Sequence, residues 1–259
     1  MHSRRLRVEI VIPVFNEAHV LTNTVRTVVA FLSRTCPYDW HMVIADNRST
    51  DATPEVIRCI TAGNPRVLGL RIETQGRGIA LRRAWADPTV DIHAYMDADL
   101  STDLGALGPL LAHVADGCDI AIGSRHVPNA ALTRGLRRDM LSRGYNALLR
   151  LVFGTGITDA QCGFKAVSHR VVTEILPHVQ SDGWFFDTEL LLLAERAGYK
   201  IAQVPVMWVE DRDSRVNLRR TVIEYLRGVW RLRYRGHSST PRSARETVAR
   251  PSRTRRASA

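Results

Sequence analysis

The chain has 259 residues, 45% hydrophobic and 24% charged, with 36 Lys and Arg against 26 Asp and Glu, a formal net charge of +10. That composition is globular and excludes a disordered polymer or a collagen-like chain. Arg, Asp or Gly interrupts every apolar run before the ~18 residues that a membrane-crossing helix needs, and Met1 to Arg7 leads into a strand-like segment rather than a signal-peptide core.

In chain order, short β-branched runs at Val8 to Val14, Met42 to Ala45, Val67 to Ile72, Ile92 to Met96 and Ile120 to Ile122 predict buried strands. Between them, apolar residues at three- and four-residue steps predict helices over Ala18 to Ser33, Thr53 to Ala62, Gly78 to Trp85 and Leu104 to His113. The alternation implies an α/β fold with a mostly parallel, three-layer, Rossmann-like sheet. Val216 to Tyr234 predicts an amphipathic helix: Leu218, Val222, Tyr225, Leu226, Val229, Trp230 and Leu232 share one arc, with Arg220, Arg227, Arg231 and Arg235, and Glu224 among them, opposite, while Arg219 and Arg233 break the pattern at its edges. Such a helix suits packing on the domain with a solvated Arg face, or an anionic membrane surface. From Arg212 to Ala259 the net charge is +11, which leaves −1 for everything before it. The expected divisions are therefore a domain over 1–211, a basic helical segment over 212–236, and a disordered Arg-rich tail over 237–259. Cys36, Cys59, Cys118 and Cys162 have no CxxC spacing and read as buried thiols of a reducing compartment, not as a disulfide or zinc framework.

Open α/β sheets bind ligands at the carboxyl ends of their strands. Polar clusters fall there: Phe15-Asn16-Glu17 after the first strand, Asp46 to Asp51 after the second, and Asp97-Ala98-Asp99 after Tyr95-Met96. Two carboxylates one residue apart suit a hard divalent cation that takes substrate phosphates as its other ligands, although a lone pair of this kind also serves as a solvated loop. The turn Gln75-Gly76-Arg77-Gly78 is too short for a dinucleotide fingerprint or a P-loop. The nine histidines form no HxH or HExxH pattern.

Read in order, Ile12 to Glu17, Asp46 to Asp51, Gly76-Arg77-Gly78, Asp97-Ala98-Asp99 and Gly123-Ser124-Arg125 resemble the successive motifs of family 2 glycosyltransferases with the GT-A fold. Ser142 to Asn146, Asp159 to Lys165, Phe186 to Leu190 and Val204-Pro205-Val206 are similar to the polyprenyl-phosphate branch, which includes the dolichyl-phosphate mannose and glucose synthases. The resemblance implies that Pro13, Asn16 and Glu17 line the nucleotide pocket, that Asp46, with Asn47, meets the base and ribose, and that Arg77 approaches the donor. It implies that Asp97, Ala98 and Asp99 hold the nucleotide and a divalent metal, Mg or Mn, with Ser101 beside the metal. Arg125, Arg138, Ser214 and Arg215 would take the acceptor phosphate, and Asp159 and Asp187 would orient the sugar. Two departures stand out: Asn47 replaces the family's second Asp, and Arg48 its usual Gly, which puts the local turn in question.

The implied reaction is inverting transfer of a hexose from a nucleotide-sugar donor, UDP-glucose before GDP-mannose, to polyprenyl phosphate, by a protein peripheral to the cytoplasmic face of a membrane. A phosphate monoester is largely ionised at neutral pH and needs little activation, whereas a glycan hydroxyl would need a general base, for which Asp159, Asp187 and Glu189 are the candidates. Other readings are that hydroxyl transferase and a non-catalytic binder of nucleotide, or of nucleic acid, using the basic segment. The near-neutral body and the carboxylates at strand ends weigh against nucleic acid. Oligomeric state, isoprenoid length and the choice of metal are not legible in the residues.

Overall fold

A computed structural model describes residues 4–133, 136–209 and 218–235. The strands are β1 (Arg7–Val14), β2 (Asp39–Asp46), β3 (Val67–Arg71), β4 (Ile92–Met96), β5 (Ile120–Ser124), β6 (Ala131–Thr133), β7 (Phe164–Ser168), β8 (Ile201–Pro205) and β9 (Met207–Val209). The helices are α1 (Ala18–Thr35), α2 (Thr53–Gly63), α3 (Arg77–Ala84), α4 (Leu107–Ala115), α5 (Leu136–Phe153), α6 (His169–Glu174), α7 (Phe186–Arg196) and α8 (Leu218–Arg235).

Seven strands form one sheet in the order β3-β2-β1-β4-β7-β5-β8, parallel except for β7, which runs antiparallel between β4 and β5. β6 and β9 form a separate parallel pair. Val8, Ile10, Ile12 and Val14 of β1 enter one hydrophobic cluster while Val11 enters the other, so alternate residues feed the two faces of a sheet covered on both sides. This is the expected α/β architecture. The second strand begins three residues before Met42, because Asp39, Trp40 and His41 pair with Arg7, Val8 and Glu9 and Trp40 is buried there.

Two expectations need correction. Of the cysteines only Cys162 is buried; Cys59 is exposed on α2, and all four are free. The apolar arc of the last helix does not pack as one face: Val229 and Leu232 are buried, but Val222, Leu226 and Trp230 are exposed. The helix docks through the side bearing Thr221, Gly228 and Leu232, so the arc is split between core and surface. The boundary at 211 and the tail over 237–259 lie outside the described residues.

Candidate active site

The parallel strands aim their carboxyl ends at one edge of the sheet. Because β7 is antiparallel, it brings its first residues to that same edge, with Phe164 opposite Met96. Gly163 therefore lies against Asp97: a Cβ on Gly163 would sit 1.8 Å from Asp97 Oδ2 and 2.8 Å from Arg77 Nη2. Only a glycine permits this approach.

Asp97 Oδ1 accepts from Arg77 Nη2 at 2.7 Å. The Arg77 guanidinium lies between the rings of Tyr95 and Trp184, each centroid 5.1 Å away, and its Nε is 3.5 Å from Asp187 Oδ2. Burial would lower the pKa of Arg77, but Asp97, Tyr95 and Asp187 outweigh it and hold the group firmly cationic. For Asp97 burial dominates, opposed by Arg77 and reinforced by Asp99 and Asp187, and its pKa is raised. Asp187 in turn contacts Lys165 Nζ at 3.1 Å and accepts a hydrogen bond from the Tyr95 hydroxyl. Lys165 is fully buried and also donates to Tyr95 Oη at 3.1 Å. Two cations thus face two carboxylates across a tyrosine hydroxyl, so no charge in the cluster is left unpaired, while the Asp97 side chain stays 47% exposed at its open end.

Asp99 is exposed, and its Oδ1 accepts the Ser101 backbone N–H at 2.9 Å across a turn in which Leu100 has φ +53°. Ser101 Oγ is buried with no hydrogen-bond partner. Two carboxylates beside an unpaired hydroxyl fit a divalent cation that keeps waters and phosphate oxygens in its shell. Ala98 is buried, its carbonyl accepting from Thr24 Oγ1 at 2.7 Å.

The first two loops interlock. Asn16, at φ +58°, accepts the Thr50 N–H on Oδ1 at 2.8 Å and gives its own N–H to Ser49 Oγ at 2.9 Å; the Glu17 N–H goes to Thr53 Oγ1. Pro13 is half-buried on β1 and pairs with Ala45. Asp46 is turned inward, with its oxygens taken by the Ser49 N–H and by Arg71. It braces the loop that joins β2 to α2. Asn47 Oδ1 accepts the Gly76 N–H at 2.9 Å, a bond that a carboxylate oxygen would also make. Arg48 adopts φ +66°, so the turn that normally uses glycine forms with arginine, at a cost of about 1–2 kcal/mol.

Further along the edge, Asp159 is fully buried and both its oxygens are taken by Arg125, with Nε to Oδ2 at 2.7 Å and Nη2 to Oδ1 at 2.8 Å. Burial would raise the Asp159 pKa, but the Arg125 guanidinium and backbone N–H hold it below the carboxylate range. Arg125 is itself almost closed off, with its guanidinium 5.4 Å from the Trp208 ring centroid. Glu189 is buried, accepting the Ser181 N–H at 2.8 Å and pairing with Arg231 at 2.6 Å.

The structure thus gathers Asp97, Asp99, Ser101, Arg77 and Asp187 into one neighbourhood. Asp159 and Asp187 are engaged by buried cations instead of facing an open cleft. The Arg138 side chain, Ser214 and Arg215 lie outside the described residues. Sequence reasoning gave Tyr95 no role in the site, placed Gly163 and Lys165 only within the Asp159 to Lys165 motif, and read Trp184 as core or acceptor-channel wall rather than as a cover on Arg77. The signal was present in one case: Lys165 is one of two lysines in an arginine-rich chain.

The sequence model described as Glycosyl transferase family 2 matches residues 9–176. Among curated relatives, the chain is 36% identical to the glycosyltransferase AglD of Haloferax volcanii, covering 89% of this chain but only 38% of that protein. It is 30% identical to the dolichyl-phosphate beta-glucosyltransferase of Drosophila melanogaster, over 89% of this chain and 78% of the relative. It is 29% identical to the polyprenol monophosphomannose synthase of Mycolicibacterium smegmatis, over 79% and 78%. Of solved structures, mannosyl-3-phosphoglycerate synthase from Rubrobacter xylanophilus superposes with a TM-score of 0.68 at 21% identity, covering 90% of this chain and 76% of that one. Glucosyl-3-phosphoglycerate synthase from Mycobacterium tuberculosis, in complex with Mn2+, UDP and glucosyl-3-phosphoglycerate, gives 0.64 at 22%, covering 87% and 80%. These two superpositions establish the shared fold.

Proposed function

The chain belongs to glycosyl transferase family 2 and is a glycosyltransferase of GT-A fold; from that premise we propose that it transfers a hexose from a nucleotide-sugar donor to a polyprenyl phosphate, with inversion at the anomeric carbon. One observation carries the choice of acceptor. The three carboxylates named as general-base candidates toward a hydroxyl are already engaged: Asp159 by Arg125, Asp187 by Lys165 and Tyr95, Glu189 by Arg231. A phosphate, ionised at neutral pH, needs no such base. The names of the relatives that act on dolichyl phosphate or polyprenol support the same acceptor.

On this reading Asn16, Glu17, Pro13 and the Asn47 loop border the nucleotide, and Asp97 and Asp99, with Ser101, hold the divalent metal. That ion, Mg or Mn, would neutralise the departing diphosphate. Arg77, held by Asp187 and sandwiched between rings, keeps Asp97 aimed and adds positive charge at the diphosphate. Arg125, clamped by Asp159, shapes the acceptor side together with Arg138 and the Ser214-Arg215 pair. Several relatives named for glucosyl transfer favour a glucose donor over mannose. A lipid acceptor calls for contact with a membrane surface, on this reading the cytoplasmic face, met peripherally; no helix among the described residues is long and apolar enough to cross a membrane.

The test is mass spectrometry of lipid products from purified protein given a prenyl phosphate, Mg or Mn, and UDP-glucose and GDP-mannose side by side. A glycosylated prenyl phosphate that requires metal and is absent with Asp99→Asn supports the reading and names the sugar. A folded protein that binds nucleotide yet yields product only with a hydroxyl acceptor refutes it.

A further inference from the structure

Helix α8 has two working sides. One side clasps the segment 181–189. Glu224 Oε1 accepts the Phe185 N–H at 3.1 Å, and Arg231 Nη2 reaches both Ser181 Oγ at 2.7 Å and Glu189 Oε2 at 2.6 Å. Gly228 lets the Phe185 ring lie against the helix, since a Cβ there would come within 2.4 Å of it, and Gly183 leaves the same margin for Glu224. The clasped segment in turn touches the site. Trp184 covers the Arg77 guanidinium, Asp182 O accepts the Gly78 N–H at 2.8 Å, and Arg82 Nη1 donates to Ser181 O at 3.1 Å.

The other side is open and apolar. Val222, Ile223, Leu226, Trp230 and Tyr234 fall within an arc of about 120° at 100° per residue. Trp230 is 63% and Leu226 52% exposed. Arg227 is exposed at the border of this stripe and Arg233 is exposed within its arc, near the Val222 edge, and the chain from Arg212 onward carries +11. An apolar stripe with Trp and Tyr, bordered by Arg227 and crossed by Arg233 in its last turn, matches an anionic lipid surface: acyl chains take the apolar residues and headgroup phosphates the guanidiniums, which long Arg side chains reach from within the stripe. A second copy of the same face would set arginine against arginine.

We propose that the open face of α8 is the seat of an anionic lipid surface, and that the clasp on residues 181–189 passes that contact to the Arg77–Asp97 cluster, so that seated protein transfers sugar faster than protein in solution. The rate claim rests on the proposed reaction; the seat does not.

The experiment uses the full chain and the double variant Leu226→Glu/Trp230→Glu, whose changed residues are exposed and outside the site. Sedimentation with phosphatidylcholine vesicles, with and without phosphatidylglycerol, measures the seat. Turnover of a short water-soluble prenyl phosphate, with and without vesicles, measures the coupling. Expected are wild-type binding that needs phosphatidylglycerol, a loss of at least about tenfold in the variant, and turnover without vesicles that is equal in the two proteins. Vesicles should speed the wild type severalfold, and Arg231→Gln should keep the binding and lose the stimulation. Unchanged vesicle binding in the double variant overturns the seat, as does binding indifferent to phosphatidylglycerol. Stimulation that survives Arg231→Gln overturns the coupling. Because sedimentation needs neither donor nor acceptor, seating without any glycosylated product refutes the proposed reaction and still supports the seat.

Discussion

Gly163→Ala adds a single methyl group at the point where β7 meets the end of β4. Built on the present backbone, that methyl would lie 1.8 Å from Asp97 Oδ2, 2.5 Å from Asp97 Cγ and 2.8 Å from Arg77 Nη2. Restoring ordinary contact requires the Asp97 carboxylate to retreat by about 1.6 Å. Arg77 cannot follow freely, since Tyr95, Trp184 and Asp187 hold it. A misplacement of ~1 Å in a group that positions reactants costs about 10²-fold, so kcat/KM should fall by at least that factor, or ~2.7 kcal/mol of transition-state stabilisation. Stability should fall less, by about 1–3 kcal/mol for the overpacking. The assay is metal-dependent glucosyl or mannosyl transfer alongside thermal melting. Gly108→Ala, on α4 with nothing within 4 Å of its added Cβ, serves as the control and should melt slightly higher. A Gly163→Ala enzyme that melts normally and keeps kcat/KM within about threefold of wild type, far short of the expected 10²-fold, would refute the placement of Asp97 at the centre of the reaction.

Asp159→Asn leaves Arg125 buried without its carboxylate and should destabilise the fold by about 3–5 kcal/mol; denaturant unfolding measures the loss, and turnover per folded molecule should remain measurable, because no base has been removed. Arg48→Gly relieves a left-handed backbone while adding unfolded-state freedom, for a net gain on the order of 0.5–1 kcal/mol and a melting point higher by a few degrees. Burial pushes the Glu9 pKa up, but hydrogen bonds and charge from His41 and His93 outweigh it, and the folded pKa lies below the ordinary 4.5. Its stabilisation is thus fully present above pH 4.5 and is lost as pH falls through the folded pKa. The melting-point difference between wild type and Glu9→Gln should therefore shrink as pH falls below 4.5; a gap that stays constant from there down to pH 3 would contradict the shift.

The first five strands, the helices between them and the site edge were legible because buried strands leave short apolar runs and amphipathic helices a period of 3.6 in the residues themselves, whereas the order of the strands and the insertion of β7 and β8 were not. Asp97 and Asp99 stood out because two carboxylates at a strand end carry a cost that only a ligand or a partner offsets. Lys165 and Asp187 were not legible as a pair, for they lie 22 positions apart and meet only because β7 inserts antiparallel beside β4 while α7 crosses behind Tyr95. The same insertion sets Gly163 against Asp97, and no local pattern announces it. In α8 the sequence determined that one arc would be apolar; only the tertiary structure decided which part of that arc meets Phe185 and which is left outside. Periodicity records which residues avoid water, but the partner that shields them is a matter of long-range packing, and here packing covers one side of the helix and leaves the other open.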